Sequence, residues 1–238
     1  MSSASADFAI LTSRLVLLPT PIAINIHKYR ALYSFLHSSH EFCDMGFGPH
    51  FPARETDDKE ITSWIEREVK RSWEVRGLGD FAVGVWNCEV PEPVEGEKLL
   101  QNGSGGVKIR VVPRPHLFGV YGDRVNWVGY VGVRDASILL PLREPDDKSL
   151  PDWKELVEVR YGVNMSDWGK GYGTEAARGL LLWAEKEMGI RRFVAETEKL
   201  NQGSGKILRK LGFVEREGNE YWKEGSQIEW DKVVMPKA

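Results

Sequence analysis

Cysteine is nearly absent from the 238 residues: Cys43 and Cys88 stand alone, too few to staple a chain of this size. Reduced thiols are expected, and a nucleophilic cysteine has no support. Histidine is scarce too, with five residues that show neither metal-ligand spacing nor clustering with cysteine, so no metal is expected. No apolar run approaches the length needed to cross a bilayer, and Arg14 interrupts the apolar residues behind a polar leader at 1–8. A net charge of −3 gives no reason to expect a nucleic-acid partner. No repeat is present. These absences point to a soluble, cytoplasmic protein that engages neither membrane nor nucleic acid, and a monomer or homodimer is expected. What remains, 42% hydrophobic and 28% charged residues, suits a single globular domain over 1–238.

The organising stretch is Asp167-Trp168-Gly169-Lys170-Gly171-Tyr172-Gly173-Thr174-Glu175-Ala176-Ala177. A β-branched run, Leu156 to Val163, precedes it and a helix-forming run follows. Strand, glycine loop and helix in that order turn several N–H groups toward one point at the positive end of a helix dipole, where a phosphate can be held. A Walker loop is excluded because Lys170 lies between glycines rather than ahead of Ser or Thr. A dinucleotide fingerprint starting at Gly169 is excluded because position 174 is threonine, not Gly or Ala.

Trp168, Gly171 and Gly173 occupy the defining places of Gln/Arg-x-x-Gly-x-Gly/Ala, so the loop resembles the acyl-CoA pyrophosphate loop of the GNAT superfamily of N-acetyltransferases. Trp168 departs from the Gln/Arg consensus, but Trp-Gly-Lys-Gly-Tyr followed by Thr-Glu-Ala is similar to the ribosomal-protein N-acetyltransferase branch. The opening Thr12-Ser13-Arg14-Leu15-Val16-Leu17-Leu18-Pro19 resembles that branch's Thr-x-Arg-Leu-x-Leu-Arg-Pro, with Leu18 in place of the second arginine. Asn201 and Ser204, with Lys210, Gly212 and Phe213, match Asn-x-x-Ser, a helix, then Lys-x-Gly-Phe. The resemblance implies an α/β (α+β) fold: a single mixed, mostly antiparallel twisted sheet flanked by helices and splayed in the middle for acetyl-CoA.

Along the chain, residues 11–19 read as a strand ended by proline, and helical spacing predicts a helix to about His37. Met45 to Pro52 reads as a turn-rich segment. Thr56 is expected to cap a helix carrying Ile61, Trp64, Ile65 and Glu68. Strands are expected at Phe81–Trp86 and Trp127–Val133. The long connection 88–126 contains a further strand at Val107–Val112, and a second insertion runs over about 134–155 with Glu144, Asp146, Asp147 and Asp152. Both read as specificity or interaction loops, or as unstructured decoration. After the glycine loop come a helix to Met188, a strand at Arg192–Thr197, a helix over Ser204–Leu211 and two closing strands. His27, His37 and His40 read as ordinary surface or helix residues.

Acetyl transfer to an amine needs a neutral nucleophile, a polarised thioester carbonyl and a proton or hydrogen bond for the leaving thiolate. The resemblance implies acetyl-CoA as co-substrate, held by Val159, Arg160, Tyr161, Trp168, Gly169, Lys170, Gly171, Tyr172, Gly173, Thr174, Asn201 and Ser204. It also implies that an N–H near Val159 to Tyr161 polarises the carbonyl. Glu158 matches the Glu of the family's Glu-Ile-Gly-Tyr strand and is the candidate base; alternatively it pairs with Arg160, which alternation puts on the same face. Arg160 stands where the family has Gly. The family's Tyr acid is replaced by Leu208, and Ser204 is the candidate acid or else a helix N-cap. Asn201 fixes its loop or contacts the pantetheine. Phe47, His50, Phe51 and Tyr130 border the acceptor pocket by the same resemblance, or form an aromatic plug. Tyr130, Tyr161 and Tyr172 otherwise read as core or rim. The reaction implied is direct attack in a ternary complex by a primary amine, from a protein or peptide N-terminus, a polyamine or another small molecule. The acids of the second insertion would suit a cationic acceptor. A GNAT-fold module that binds acyl-CoA or a partner without turnover is the other reading.

Overall fold

The computed structural model describes residues 6–48, 51–86, 92–102, 106–113, 124–138, 151–217 and 227–234. Among the described residues ten strands form one sheet: β1 (Phe8–Leu11), β2 (Leu15–Pro19), β3 (Asp80–Trp86), β4 (Lys98–Gln101), β5 (Lys108–Pro113), β6 (Val125–Asp135), β7 (Val157–Val163), β8 (Arg192–Glu198), β9 (Val214–Glu215) and β10 (Gln227–Val233). Their order across the sheet is β4-β5-β1-β2-β3-β6-β7-β8-β10-β9. Every pairing is antiparallel except β7 with β8.

Alternation along the strands divides the apolar residues between two cores. In β2, Leu15 and Leu17 face one layer while Val16 and Leu18 face the other. The first layer is covered by α6 (Tyr172–Met188), whose Ala176, Ala177, Leu180, Leu181 and Ala184 are buried. The second is covered by α2 (His27–Ser38), α3 (His40–Phe47) and α4 (Asp58–Glu68), through Tyr29, Tyr33, Leu36, Phe42, Ile61 and Ile65. A short α1 (Thr20–Ala23) precedes them. A π-helical turn, Val69–Trp73, continues α4 into α5 (Glu74–Arg76), and α7 (Gln202–Lys210) follows β8. No helix among the described residues is long and apolar enough to cross a membrane.

Four local expectations change. The segment read as turns from Met45 is helical back to His40: Ser39 caps α3 by accepting the Phe42 N–H at 3.3 Å, and only Gly48, at φ 62°, turns the chain away. The cap of α4 is Asp57, which accepts the Glu60 N–H at 2.7 Å, not Thr56. Within the 88–126 insertion the expected strand is β5, and β4 joins it in a hairpin that adds to β1 at the sheet's outer edge. This hairpin packs as sheet and stands away from the cavity described below. His37 is a helix residue of α2, one of the two places expected for it, but it is buried, its ring 4.3 Å from Tyr33 and 6.0 Å from Tyr130. The residues Glu144, Asp146 and Asp147 lie outside the described residues, and Asp152 pairs with Arg191.

The opening motif meets the glycine-loop helix directly. Glu175 in the first turn of α6 accepts hydrogen bonds from the Thr12 hydroxyl at 2.6 Å, the Ser13 hydroxyl at 3.0 Å, the Arg14 N–H at 3.0 Å and Arg14 Nε at 2.7 Å. Arg14 also donates to the Lys170 carbonyl at 3.2 Å and lies 4.9 Å over the Tyr172 ring. Thr-x-Arg and Gly-Thr-Glu are thus two halves of one clamp that fixes where α6 begins. Glu175→Ala should cost about 2–3 kcal/mol, discounted for the half-exposed Arg14. A Tm fall of about 4–10 °C in calorimetry would agree with this; no change would show that the clamp contributes nothing.

Candidate active site

β7 and β8 pair only at Val157 with Phe193 and at Glu158 with Val194. Beyond that point they part, and from Val159 to Val163 β7 is partnered on its β6 side alone among the described residues. The expected splay is therefore present. A cavity of about 970 Å³ opens at the parting and runs between the glycine loop and helices α2 to α4.

The loop forms one end. Gly169 and Gly171 adopt φ of 78° and 84°, the left-handed region that glycine enters without strain. A Cβ at Gly169 would meet nothing within 4 Å, so the glycine serves its φ and leaves the space above it open. No side chain caps α6, and its first helical hydrogen bond runs from the Glu175 N–H to the Gly171 carbonyl at 3.0 Å. The N–H groups of Tyr172, Gly173 and Thr174 therefore have no partner among the described residues and add to the positive end of the helix. Such a cradle fits a phosphate. Trp168 stands at the mouth, its Nε1 donating to the Val163 carbonyl at 2.7 Å. Lys170 does not line the cavity; its ammonium is drawn to Asp167 at 2.8 Å.

Of the residues expected at the site, Glu158, Val159, Arg160, Tyr161, Trp168, Gly169, Gly171, Tyr172, Gly173, Thr174, Asn201 and Ser204 all line this cavity, as do Phe47, Phe51 and Tyr130. His50 lies outside the described residues. Asn201 is the cap of α7, accepting the Ser204 N–H at 3.0 Å while its Nδ2 donates to the Met45 carbonyl at 2.9 Å. This corrects the capping alternative for Ser204, which sits inside the first turn. Its hydroxyl makes no hydrogen bond among the described residues, and its carbonyl accepts from the Tyr161 hydroxyl at 3.1 Å. Burial holds the Tyr161 phenol well above its ordinary range. Leu208, where the family has Tyr, is buried.

The partner of Glu158 is Arg134, not Arg160. The two face each other across β6 and β7, with Arg134 Nε 2.7 Å and Nη2 3.0 Å from the two carboxylate oxygens. Burial pushes the Glu158 carboxyl up, but Arg134 and Arg160 outweigh it and keep the group below its usual value. Arg160 instead lies 3.7 Å from Asp80 and 5.2 Å over the Tyr130 ring.

A second carboxylate, absent from the sequence-based set, faces the same cavity. Glu196 lies on β8 just past the last β7–β8 pair, and its Oε2 is buried with no hydrogen-bond partner. Burial, then the charges of Glu158 and Glu198, push its carboxyl up to about 8. The nearby signal was a Glu directly after the apolar run Phe193-Val194-Ala195, but only the parting of the strands gives it a cavity to face. Among the described residues no group of side chains could hold a metal ion.

Residues 123–214 match the acetyltransferase (GNAT) domain family. A 64-residue stretch is 41% identical to the uncharacterized N-acetyltransferase YjdG of Bacillus subtilis (strain 168), covering 27% of this chain and 38% of that protein. The matches to curated relatives thus span about two fifths of those relatives' length. Against solved structures, the fold is similar to an acetyltransferase from Agrobacterium tumefaciens str. C58 (TM-score 0.55, 16% identity, 95% of this chain and 94% of that one). It is similar also to RimL, a ribosomal L7/L12 alpha-N-protein acetyltransferase in complex with coenzyme A (TM-score 0.54, 10% identity, 94% and 96%). The chain thus has the fold of these acetyltransferase structures, and the stretch that builds its glycine loop and strand gap is the one that matches the acetyltransferase (GNAT) domain family.

Proposed function

We propose that the protein is an acetyl-CoA-dependent N-acetyltransferase that acts on a primary amine by direct attack within a ternary complex. The observation that carries this reading is the unpaired Glu196 carboxylate, which shares one cavity with a bare amide cradle. Acetyl-CoA, when bound, supplies an acyl group on a sulfur leaving group. The amides of Tyr172, Gly173 and Thr174 hold its pyrophosphate, and an N–H on the unpaired side of β7 polarises the carbonyl. Trp168 and Asn201 shape the walls of the channel between them.

Glu196 takes the proton of the incoming ammonium. Its carboxyl near 8 matches an α-amine, whose ordinary pKa is about 7.7–8.0, better than a lysine or polyamine nitrogen near about 10.4. A protein or peptide N-terminus is therefore the favoured acceptor. Ser204, with its uncommitted hydroxyl, gives the leaving thiolate a hydrogen bond, and the thiolate takes up the second proton that the nitrogen sheds as the amide forms. Glu158 is occupied by Arg134 on both oxygens and serves the electrostatics of the site rather than proton transfer. Leu208 favours one other reading, an acyl-CoA-binding module without turnover, because it offers no phenol as acid.

The deciding experiment is thiol release from acetyl-CoA with N-terminal peptides, polyamines and small aromatic amines. Saturable release with the peptides is expected. Tight acetyl-CoA binding with no release across the whole panel would favour the module instead.

A further inference from the structure

The acceptor end of the cavity is rich in guanidinium. Arg54, Arg67, Arg71, Arg134 and Arg160 line it, drawn from the α4 side and from the facing strands β6 and β7. Trp64, Arg67, Glu68 and Arg71 follow helical spacing along α4 into the π-helical turn, which places one side of that helix along the cavity. The carboxylates that answer these arginines are few. Arg54 pairs with Glu60, and Arg134 with Glu158. Glu68 alone is shared by Arg71, by Arg134 at 3.5 Å and by Arg160 at 3.9 Å, with Asp80 beside Arg160. Arg67 is exposed and has no ion-pair partner among the described residues. Burial pushes the carboxyls of Asp80 and Glu196 up, the latter to about 8.

Beside this charge the wall is aromatic, with Arg54 5.9 Å over the Trp64 ring and Arg160 5.2 Å over the Tyr130 ring. Phe47 and Phe51 lie 5.2 Å apart, Phe51 is 6.2 Å from Trp64, and His37 stacks between Phe47 and Tyr130. His37 is held neutral, because burial lowers its imidazole to about 4. It adds no positive charge. The apolar wall and the arginine rim therefore ask for different parts of one acceptor.

Resting on the acetyltransferase reading above, we infer that the acceptor is an N-terminal peptide with an apolar first side chain and an acidic residue soon after it. The first side chain beds on the aromatic wall, and the carboxylate reaches Arg67 and Arg71. Arg71, Glu68, Arg134 and Glu158 form a run of three ion-pair contacts from the arginine rim to the strand gap. The acid belongs within the first few residues of a chain that advances about 3.3–3.6 Å per residue when extended. A polycationic amine would meet guanidiniums at the same rim.

The test compares hexapeptides that begin Met-Asp-Glu, Met-Asn-Gln and Met-Lys-Arg, with spermidine as a further arm. The acidic peptide should have kcat/KM at least about 10-fold above the Asn-Gln peptide, chiefly through KM, and the margin should shrink in about 0.5 M salt, where the Debye length falls to a few ångströms. Arg67→Gln with Arg71→Gln should erase the difference between those two peptides. Equal or better turnover of the neutral peptide, the basic peptide or spermidine would overturn the inference, as would a preference unchanged in the double variant. If no peptide is turned over, the acetyltransferase reading fails separately. Binding of the same peptides, followed by tryptophan fluorescence, then decides the charge question: tighter binding of the acidic peptide upholds it, and equal binding overturns it.

Discussion

Replacing Glu196 by glutamine is expected to lower turnover by about 100-fold or more while making the folded protein more stable. The first effect follows from removing a carboxylate that faces the cavity with a buried oxygen and no hydrogen-bond partner for it. The second follows from linkage. A carboxyl raised to about 8 in the folded state keeps a proton that the unfolded chain gives up near about 4.3. Its contribution is fully present below the unfolded value and is lost as pH rises through the folded one. Glutamine cannot ionise, so the variant should gain most above about pH 8. An increase on the order of 1–2 kcal/mol, about 3–6 °C in Tm, is expected there, with little difference near about pH 4. The kcat/KM of the unaltered protein should rise with pH and level off above about 8, and that limb should vanish in the variant. An unchanged rate for Glu196→Gln would remove the residue as base.

Glu158→Gln should behave in the opposite sense. It leaves the part-buried Arg134 without its bidentate partner and with only the Glu68 contact at 3.5 Å, a change that costs about 3–5 kcal/mol in fully buried pairs and less here. Two glutamates near one strand gap are thus told apart by the sign of their effect on stability. Thermal scans at about pH 8.5, just above the Glu196 value, read both signs in one experiment.

Gly171→Asp is expected to weaken acetyl-CoA binding by about 100-fold or more, with a modest loss of stability. At φ 84° an L-residue carries roughly 1–2 kcal/mol of strain, and aspartate is among the residues that bear it best. The charge is therefore the larger effect: the carboxylate would stand at the start of α6, beside the N–H groups proposed to receive the pyrophosphate. Gly171→Asn separates the two causes, because it has the same strain and no charge; it should keep affinity within about 10-fold of the parent. Calorimetric affinity that is equal in the Asp variant and the parent would exclude this loop as the phosphate site.

How much of this was legible in the sequence depends on range. The glycine loop, the helix behind it and the Asn201–Ser204 turn are local, and their residues alone place them. The Glu158 alternative failed for a geometric reason. Alternation tells which residues of one strand share a face, but the Arg134 pairing depends on the register between β6 and β7 across an intervening insertion. Glu196 was missed because its distinction comes from the separation of β8 from β7, which no residue near it encodes. The α3 helix was hidden by Gly46, Gly48 and Pro49, which crowd its end and read as a turn. Of the β4–β5 hairpin only the second strand was expected, and its place beside β1 was not, because sequence separation gives no hint of that return.

The two-pair junction between β7 and β8 has a mechanical consequence. It leaves β8, β10 and β9 joined to the rest of the ten-stranded sheet by a very short seam. The tethers among the described residues are that seam, the α6 crossover and contacts such as Asn201 to the Met45 carbonyl. Below the seam the two parts share one apolar core, where Phe193, Leu208 and Trp230 join Leu180 and Val157, so the sheet hydrogen bonding is interrupted while the packing is not. A ligand lying in the seam would bridge the two parts where that hydrogen bonding lapses, so occupancy of the cavity and continuity of the sheet become one variable.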